Sequence, residues 1–256
     1  MFKQLFSLDK KTVVITGGNG YLGRPIVLGL IEFGATVIVA DLTIRNIGLE
    51  RVHEVECDVS DSESIRRMFR QADGLTGRID VLINCATYGA GYGPAGMVEN
   101  LSDDDWTKGV DGALGTVFRC TREVIPYMEK AGGGSIINFA SMYGVVSPDP
   151  SIYGDSGANN PANYGAGKAG VIQFTRYCAA HLAAKKIRVN SVTPGPFPNS
   201  ETQKNQKFLQ ELSRKTMVGR VGKAEEIVGA ILLLASDASS FMTGSNIVVD
   251  GGWTAW

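Results

Sequence analysis

The stretch from Thr12 to Asp41 constrains the fold more than any other part of this chain. Thr12-Val-Val-Ile15 is a short apolar run rich in β-branched residues. It leads into Thr16-Gly-Gly-Asn-Gly-Tyr-Leu-Gly23, and then into an apolar pattern of helical period from Pro25 to Phe33. A second apolar run, Ala35-Thr-Val-Ile-Val-Ala40, ends in Asp41. Strand, glycine turn, helix, strand and acid, in that order, make a dinucleotide-binding unit. Gly17 allows the tight turn, Gly20 lets the backbone approach a pyrophosphate, and Gly23 permits close helix packing. The helix N-terminus adds unpaired N–H groups and a positive dipole end for that anion. The candidate contacts here are Gly17, Asn19, Gly20, Tyr21, Leu22 and Gly23. Asp41 can accept hydrogen bonds from both hydroxyls of the adenosine ribose and repels the extra phosphate of NADP. No Lys or Arg precedes Arg24 in the glycine loop, although Arg45 follows Asp41 closely. NAD is therefore the expected cofactor, with NADP less favoured.

The alternation continues to the C-terminus. Val52–Val55, Asp80–Asn84, Gly134–Ala140, Ile187–Val192 and Asn246–Asp250 read as strands. Ser62–Ala72, Asp103–Lys130, Asn163–Ala184 and Glu225–Ala235 read as helices. Such alternation predicts an α/β fold, a Rossmann-like doubly wound parallel sheet with helices on both faces. At 256 residues and 44% hydrophobic content, the chain suits one large core, read as a single domain over 1–256. A formal net charge of −1 argues against nucleic acid or an anionic membrane as the main partner. No apolar run approaches a membrane span and the N-terminus lacks a signal-peptide pattern, so a cytoplasmic location is expected. Cys57, Cys85, Cys120 and Cys178 are scattered without metal or redox spacing, and the chain has only two histidines. They are read as reduced thiols, and no metal site is expected.

Chemistry is carried by Tyr164-Gly-Ala-Gly-Lys168, with Ser141 upstream. Residues four apart share a helix face, so the phenol and the ammonium can point into one pocket. A free phenol titrates near 10, and a neighbouring cation favours its ionised form. Such a group can take a proton from an alcohol or return one to a ketone. Ser141, just past the strand ending at Ala140, can donate a hydrogen bond to the substrate oxygen as charge develops there.

Together these residues resemble the short-chain dehydrogenase/reductase family in its shorter, single-domain form. The matching motifs are the glycine loop, Asp41, Cys57-Asp-Val59, Asn84-Cys-Ala-Thr87, Ser141, Tyr164 with Lys168, Arg188 to Gly195, and Thr243 to Trp253. The resemblance implies that Tyr164 is the acid/base and that Lys168 also holds the nicotinamide ribose. It places Asp58 and Val59 at the adenine, Asn84 and Ala86 beside the cofactor, and the backbone around Pro194, Gly195 and Phe197 at the nicotinamide carboxamide. It also implies a substrate lid over 197–218 and a homo-oligomer, a tetramer or dimer, built on C-terminal elements that include Trp253 and Trp256.

Three departures from the family pattern stand out. Many members carry an Asn on the long central helix, holding a water near the lysine. Counted from Trp106, that place falls on Ala113, with Asp111 two residues away and facing elsewhere. The spacing Gly17-xx-Gly20-xx-Gly23 is closer to longer relatives that modify sugar nucleotides, with Tyr21 where the short form has its middle glycine. The interval from Ser141 to Tyr164 exceeds the short form's by about ten residues, lying in the polar loop 147–161. Asp149, Ser151, Tyr153, Asp155, Ser156, Asn159 and Asn160 give that loop many hydrogen-bonding groups. They suggest a polyhydroxylated substrate such as a sugar, sugar phosphate or sugar nucleotide. Tyr153 has Gly157 rather than Lys four residues on, so Tyr164 is the better acid/base. The leading expectation is an NAD-dependent enzyme of carbohydrate metabolism that interconverts a secondary alcohol and a ketone. A sugar-nucleotide epimerase or dehydratase and a catalytically silent NAD-binding protein remain alternatives.

Overall fold

Seven β-branched stretches form parallel strands: β1 Thr12–Thr16, β2 Thr36–Asp41, β3 Val52–Glu56, β4 Val81–Asn84, β5 Gly134–Phe139, β6 Ile187–Pro194 and β7 Asn246–Val249. They make one sheet in the order β3-β2-β1-β4-β5-β6-β7. The architecture is seen in a computed structural model that describes residues 2–89, 91, 93–156 and 158–256, with Asp155 described by its backbone alone. Gly157, part of the polar loop noted above, lies outside the described residues. The principal helices are α1 Phe2–Leu5, α2 Gly23–Glu32, α3 Ser62–Thr76, α4 Asp103–Val110, α5 Thr116–Ala131, α6 Ala162–Leu182, α7 Gln206–Lys215 and α8 Val228–Ala235.

Side chains alternate across a strand, and a sheet covered on both faces buries both sets. Val14, Ile38, Leu82, Ile136 and Val189 point to one face, where Ile65, Phe69, Val124, Met128 and Leu182 of α3, α5 and α6 cover them. Val13, Ile15, Val37, Ile83 and Ile137 point to the other, under Ile26, Leu30, Ile231 and Leu234 of α2 and α8. Strand order reverses between β1 and β4, where connections leave to opposite faces. A crevice opens there beyond the strands' carboxyl ends, the usual ligand position in such sheets.

The helix expected over Asp103–Lys130 is interrupted. Asp111–Gly115 forms a π-helical turn between α4 and α5, the kind of irregularity that gathers at functional sites. The C-terminal tryptophans also differ from expectation. Trp253 is buried within its own chain beside Met142, Ile152 and Leu212, so only Trp256 remains exposed. Among the described residues no helix is long and apolar enough to cross a membrane, and no group of three or more His, Cys, Asp or Glu side chains is placed to hold a metal.

Candidate active site

The crevice holds a cavity of about 590 Å³, lined by Gly17, Asn19 and Gly20 of the glycine turn, Asp41 at the end of β2, Asp58 and Val59 after β3, and Ala86 after β4. Gly17 adopts φ +70°, and a Cβ there would lie 3.0 Å from the Ala86 Cα. Only glycine leaves this cradle open for a phosphate. The turn is fixed from behind. Asn19 N–H donates to the Asp41 carboxylate at 3.1 Å, and Asn19 Nδ2 donates to the Thr43 carbonyl at 2.8 Å. Asn19 Oδ1 is buried without a donor among the described residues. A glycine-floored cradle, a carboxylate at the far end and an acceptor lacking a partner fit an adenine dinucleotide.

Among the residues expected along the sides of the cavity, Asp58, Val59 and Ala86 line it and Asn84 does not. Asn84 turns away from it, donating to Asn138 Oδ1 at 2.9 Å and Thr121 Oγ1 at 3.3 Å beneath the sheet. The wall after β4 is made by Cys85, Ala86, Thr87 and Tyr88, joined by Lys108. Burial pushes the Cys85 thiol up to about 11, so it is inert at neutral pH. Arg45 also reaches the lining, beside Asp41. Asp58 Oδ1 caps its own turn by accepting from Ser60 N–H at 2.8 Å. Val59 offers its carbonyl to Arg119 Nε at 3.1 Å. Tyr21 projects out of the glycine turn, and its hydroxyl accepts from Gln203 Nε2 at 3.3 Å, joining that turn to the 197–218 segment. Leu22 packs inward against the core as α2 begins. Pro194 ends β6, Gly195 N–H donates to the Val249 carbonyl at 2.9 Å, and Phe197 packs over Gly222.

Beside this cavity, α6 carries Tyr164 and Lys168 on one face, and Ser141 follows β5. The Ser141 hydroxyl lies close enough to the Tyr164 phenol to favour its ionised form, and it accepts from Tyr143 N–H at 3.2 Å. Burial nevertheless dominates and holds the phenol above its usual value, while Ser141 pulls it down. The expected lowering by Lys168 is not what the geometry yields. Lys168 Nζ lies 5.8 Å from the Tyr164 ring centroid and donates to the Phe139 carbonyl at 2.6 Å. Burial in turn lowers Lys168 to about 8. A protonated phenol, oriented by Ser141 and backed by a buried amine, is set to give a proton to a carbonyl oxygen.

Ala113 lies in the π turn, 1% exposed. A Cβ on Gly167 would come within 2.6 Å of its methyl, so the central helix meets α6 closely just before Lys168. Asp111 faces elsewhere, as expected. Arg119 holds its carboxylate bidentately at 2.8 and 2.9 Å, and Tyr88 donates its hydroxyl to it. The Arg119 guanidinium keeps Asp111 below the usual carboxylate range. One arginine thus ties the π turn, the Tyr88 wall and the Val59 turn together. No sequence motif announces this link, because its members come from three distant segments.

The polar loop is docked rather than open. Asp149 accepts from Ser151 N–H and pairs with Lys215 at 2.9 Å, Ile152 is buried, and Tyr153 stacks on Phe208 of α7. The side-chain oxygens of Asn159 and Asn160 are buried without donors among the described residues.

The pattern described as enoyl-(acyl carrier protein) reductase, of the short-chain dehydrogenase type, matches residues 20–254. The chain belongs to the short-chain dehydrogenase/reductase family. A 3-oxoacyl-[acyl-carrier-protein] reductase FabG of Thermotoga maritima is 37% identical, over 96% of this chain and 98% of its own. A short-chain dehydrogenase of Leptospira borgpetersenii, solved with bound NAD+, has 32% identity and a TM-score of 0.87 over 99% of this chain and 96% of its own. A gluconate 5-dehydrogenase of Burkholderia cenocepacia, solved with NADP and tartrate, has 28% identity and a TM-score of 0.87 over the whole of both chains. As a short-chain dehydrogenase/reductase, the protein is an oxidoreductase acting on CH–OH groups with a nicotinamide cofactor.

Proposed function

We propose that the protein is a single-domain, NAD-dependent oxidoreductase that interconverts a secondary alcohol and a ketone on a hydroxyl-rich small molecule. The observation that carries this reading is the gathering of Tyr164, with buried Lys168 Nζ 5.8 Å from its ring and Ser141 close by, next to the glycine-floored cavity. Bound NAD supplies the hydride acceptor, and its reduced form the donor. Tyr164 gives its proton to the ketone oxygen during reduction and takes it back during oxidation. Ser141 donates to the same oxygen and stabilises charge growing there. Lys168 holds positive charge beside the phenol and orients the ribose end of the cofactor.

The Asp41 carboxylate favours NAD, since a ribose phosphate would sit against it. Arg45 and Lys108 also line this cavity, and Arg45, close to Asp41 in sequence, is a cation that can offset this repulsion. The polar loop supports a hydroxyl-rich substrate, and the 197–218 segment covers the site as a lid. The spacing of Gly17, Gly20 and Gly23 favours one second reading, an epimerase or dehydratase that recycles its NAD within each turnover. Trp106, Phe118 and Phe174 line an open apolar groove on α4, α5 and α6 that supports a homo-oligomer, a dimer or tetramer.

The test is turnover of NAD and NADP by purified protein with sugars, sugar phosphates, nucleotide sugars, 2,3-butanediol and cyclopentanol. Net NADH formation with a hydroxyl-rich member, and weaker activity with NADP, is expected. Turnover confined to cyclopentanol or butanediol would reject the substrate class. Epimers or dehydrated sugars without net NADH would establish the second reading instead.

A further inference from the structure

Parallel neighbours in a sheet are usually joined through a helix, over a dozen or more residues. β2 and β3 are joined instead by 42–51, which contains neither helix nor strand. Its backbone N–H groups lack the partners a helix provides. One side chain takes that place. Glu54, in the middle of β3 and opposite Val39 of β2, accepts from Arg45 N–H and from Ile47 N–H, each at 2.7 Å and on separate carboxylate oxygens. Asn46 between them has φ +54°, the left-handed conformation that turns successive N–H groups into an anion-binding nest. Partial burial pushes the Glu54 carboxyl up, but the N–H groups of Arg45 and Ile47 outweigh it and hold the carboxyl below its ordinary range. The nest is thus filled by an anion from the chain itself.

The same carboxylate stands behind the Asp41 end of the large cavity. Asn19 Nδ2 donates to the Thr43 carbonyl at 2.8 Å and to Glu54 Oε1 at 3.4 Å. With its donor end held by these two acceptors, the amide leaves Oδ1 as an acceptor unpartnered among the described residues, and Asn19 lines the cavity. Arg45, whose backbone Glu54 holds, lines it too, beside Asp41 and Leu42. Glu54 is not itself among the lining residues. It joins the glycine turn, the connection after β2 and the third strand at one point, from outside the space a ligand would fill.

We propose that Glu54 is the positioning residue for the adenosine end of the cofactor: from behind the cavity wall it fixes the Asn19 amide and the connection carrying Arg45, and so sets how tightly the dinucleotide is held. The inference rests on the reading of this cavity as the place of the cofactor's adenosine end, and adds to it a residue that touches no cofactor. Glutamine has the same length, but its amide nitrogen would face one of two N–H donors, so the nest needs the carboxylate and not only its shape.

The test titrates NADH and NADPH by fluorescence, and AMP by competition against NADH, with melting temperature as the control for folding. Wild type is compared with Glu54→Ala, Glu54→Gln, Asn19→Ala and the double variant Glu54→Ala with Asn19→Ala. Glu54→Ala should weaken NADH and AMP by the same factor, about tenfold, and Glu54→Gln should weaken both severalfold. The double variant should lose less than the product of the two single losses, because both changes act on one amide. With any alcohol that wild type turns over, KM for NAD should rise and kcat at saturating NAD should hold. If Glu54→Ala does not fold, Glu54→Gln replaces it in each comparison. NADH and AMP affinities unmoved in a well-folded Glu54 variant would overturn the positioning role. Single losses that multiply in the double variant, or a fall in kcat with NADH affinity unchanged, would overturn it as well. Wild type that binds neither NADH nor NADPH, or NADH that AMP does not displace, would reject the reading of the cavity itself, and the role of Glu54 with it.

Discussion

At the residue scale, Lys168 has the environment with the clearest consequences. It is buried, and among the described residues its one hydrogen bond goes to a backbone carbonyl, Phe139 O. Its pKa falls from 10.5 to about 8. Between those values the unfolded chain holds a proton that the folded chain has released, so this group's contribution to stability rises with pH across that window. Below about 8 the buried charge is a constant penalty. Lys168→Met should therefore raise the melting temperature at pH 7 by a few degrees while removing most activity. The gain should shrink as thermal unfolding is repeated toward pH 10. A variant less stable than wild type at pH 7 would contradict this reading. Ketone reduction should weaken as pH rises through about 8, because the ammonium beside Tyr164 is then lost, and a pH–rate profile of the reductive direction measures this. Asp41→Ala should narrow the preference for NAD over NADP by about tenfold or more, read from the two KM values, by removing the carboxylate that faces the ribose.

At the element scale, the π turn decides how the central helix serves the site. Its residues give up a regular helix, and Arg119 holds the result by binding Asp111, Tyr88 and the Val59 carbonyl. Arg119→Met leaves Asp111 without its guanidinium partner and frees two walls of the large cavity. The pair is partly exposed, so a stability loss of about 1–3 kcal/mol is expected. NAD affinity, measured by titration, should weaken several-fold. Unchanged affinity would show that these walls keep their shape without the arginine. This network was not legible in the sequence, since a π turn has no residue signature and its partners lie far apart along the chain. The elements themselves were legible, because strands buried on both faces read as continuous apolar runs and the glycine turn has few other uses. Tyr164 and Lys168 were legible as neighbours from helical spacing alone. The direction of the Tyr164 shift was not, since burial outweighs charge only once the packing around α6 is known. Asn84 shows the converse limit. Its place at a strand end was plain, but which way its amide turns depended on Thr121 and Asn138.

At the scale of the whole molecule, the connections leaving the carboxyl ends of β1, β2, β3 and β4 line one crevice, and the sheet holds them in register. The dinucleotide half is built from the first strands and is largely a backbone surface. On the proposed reading the substrate half is the polar loop and the 197–218 segment, which pack with the C-terminal tail around Trp253. Relatives named for acyl-carrier and gluconate substrates share this fold. The exposed apolar surface on α4, α5 and α6 should make the protein elute as an oligomer in size-exclusion chromatography with light scattering. A charge introduced by Phe118→Asp should shift it toward smaller species. The central claim is that Tyr164 transfers the proton while NAD carries the hydride. The measurement that tests it most directly is NADH formation by wild type and Tyr164→Phe on the same alcohol panel, with NAD affinity determined for both. The account predicts a loss of about 10²–10⁴-fold in turnover with NAD affinity nearly unchanged. Turnover preserved in Tyr164→Phe would contradict it.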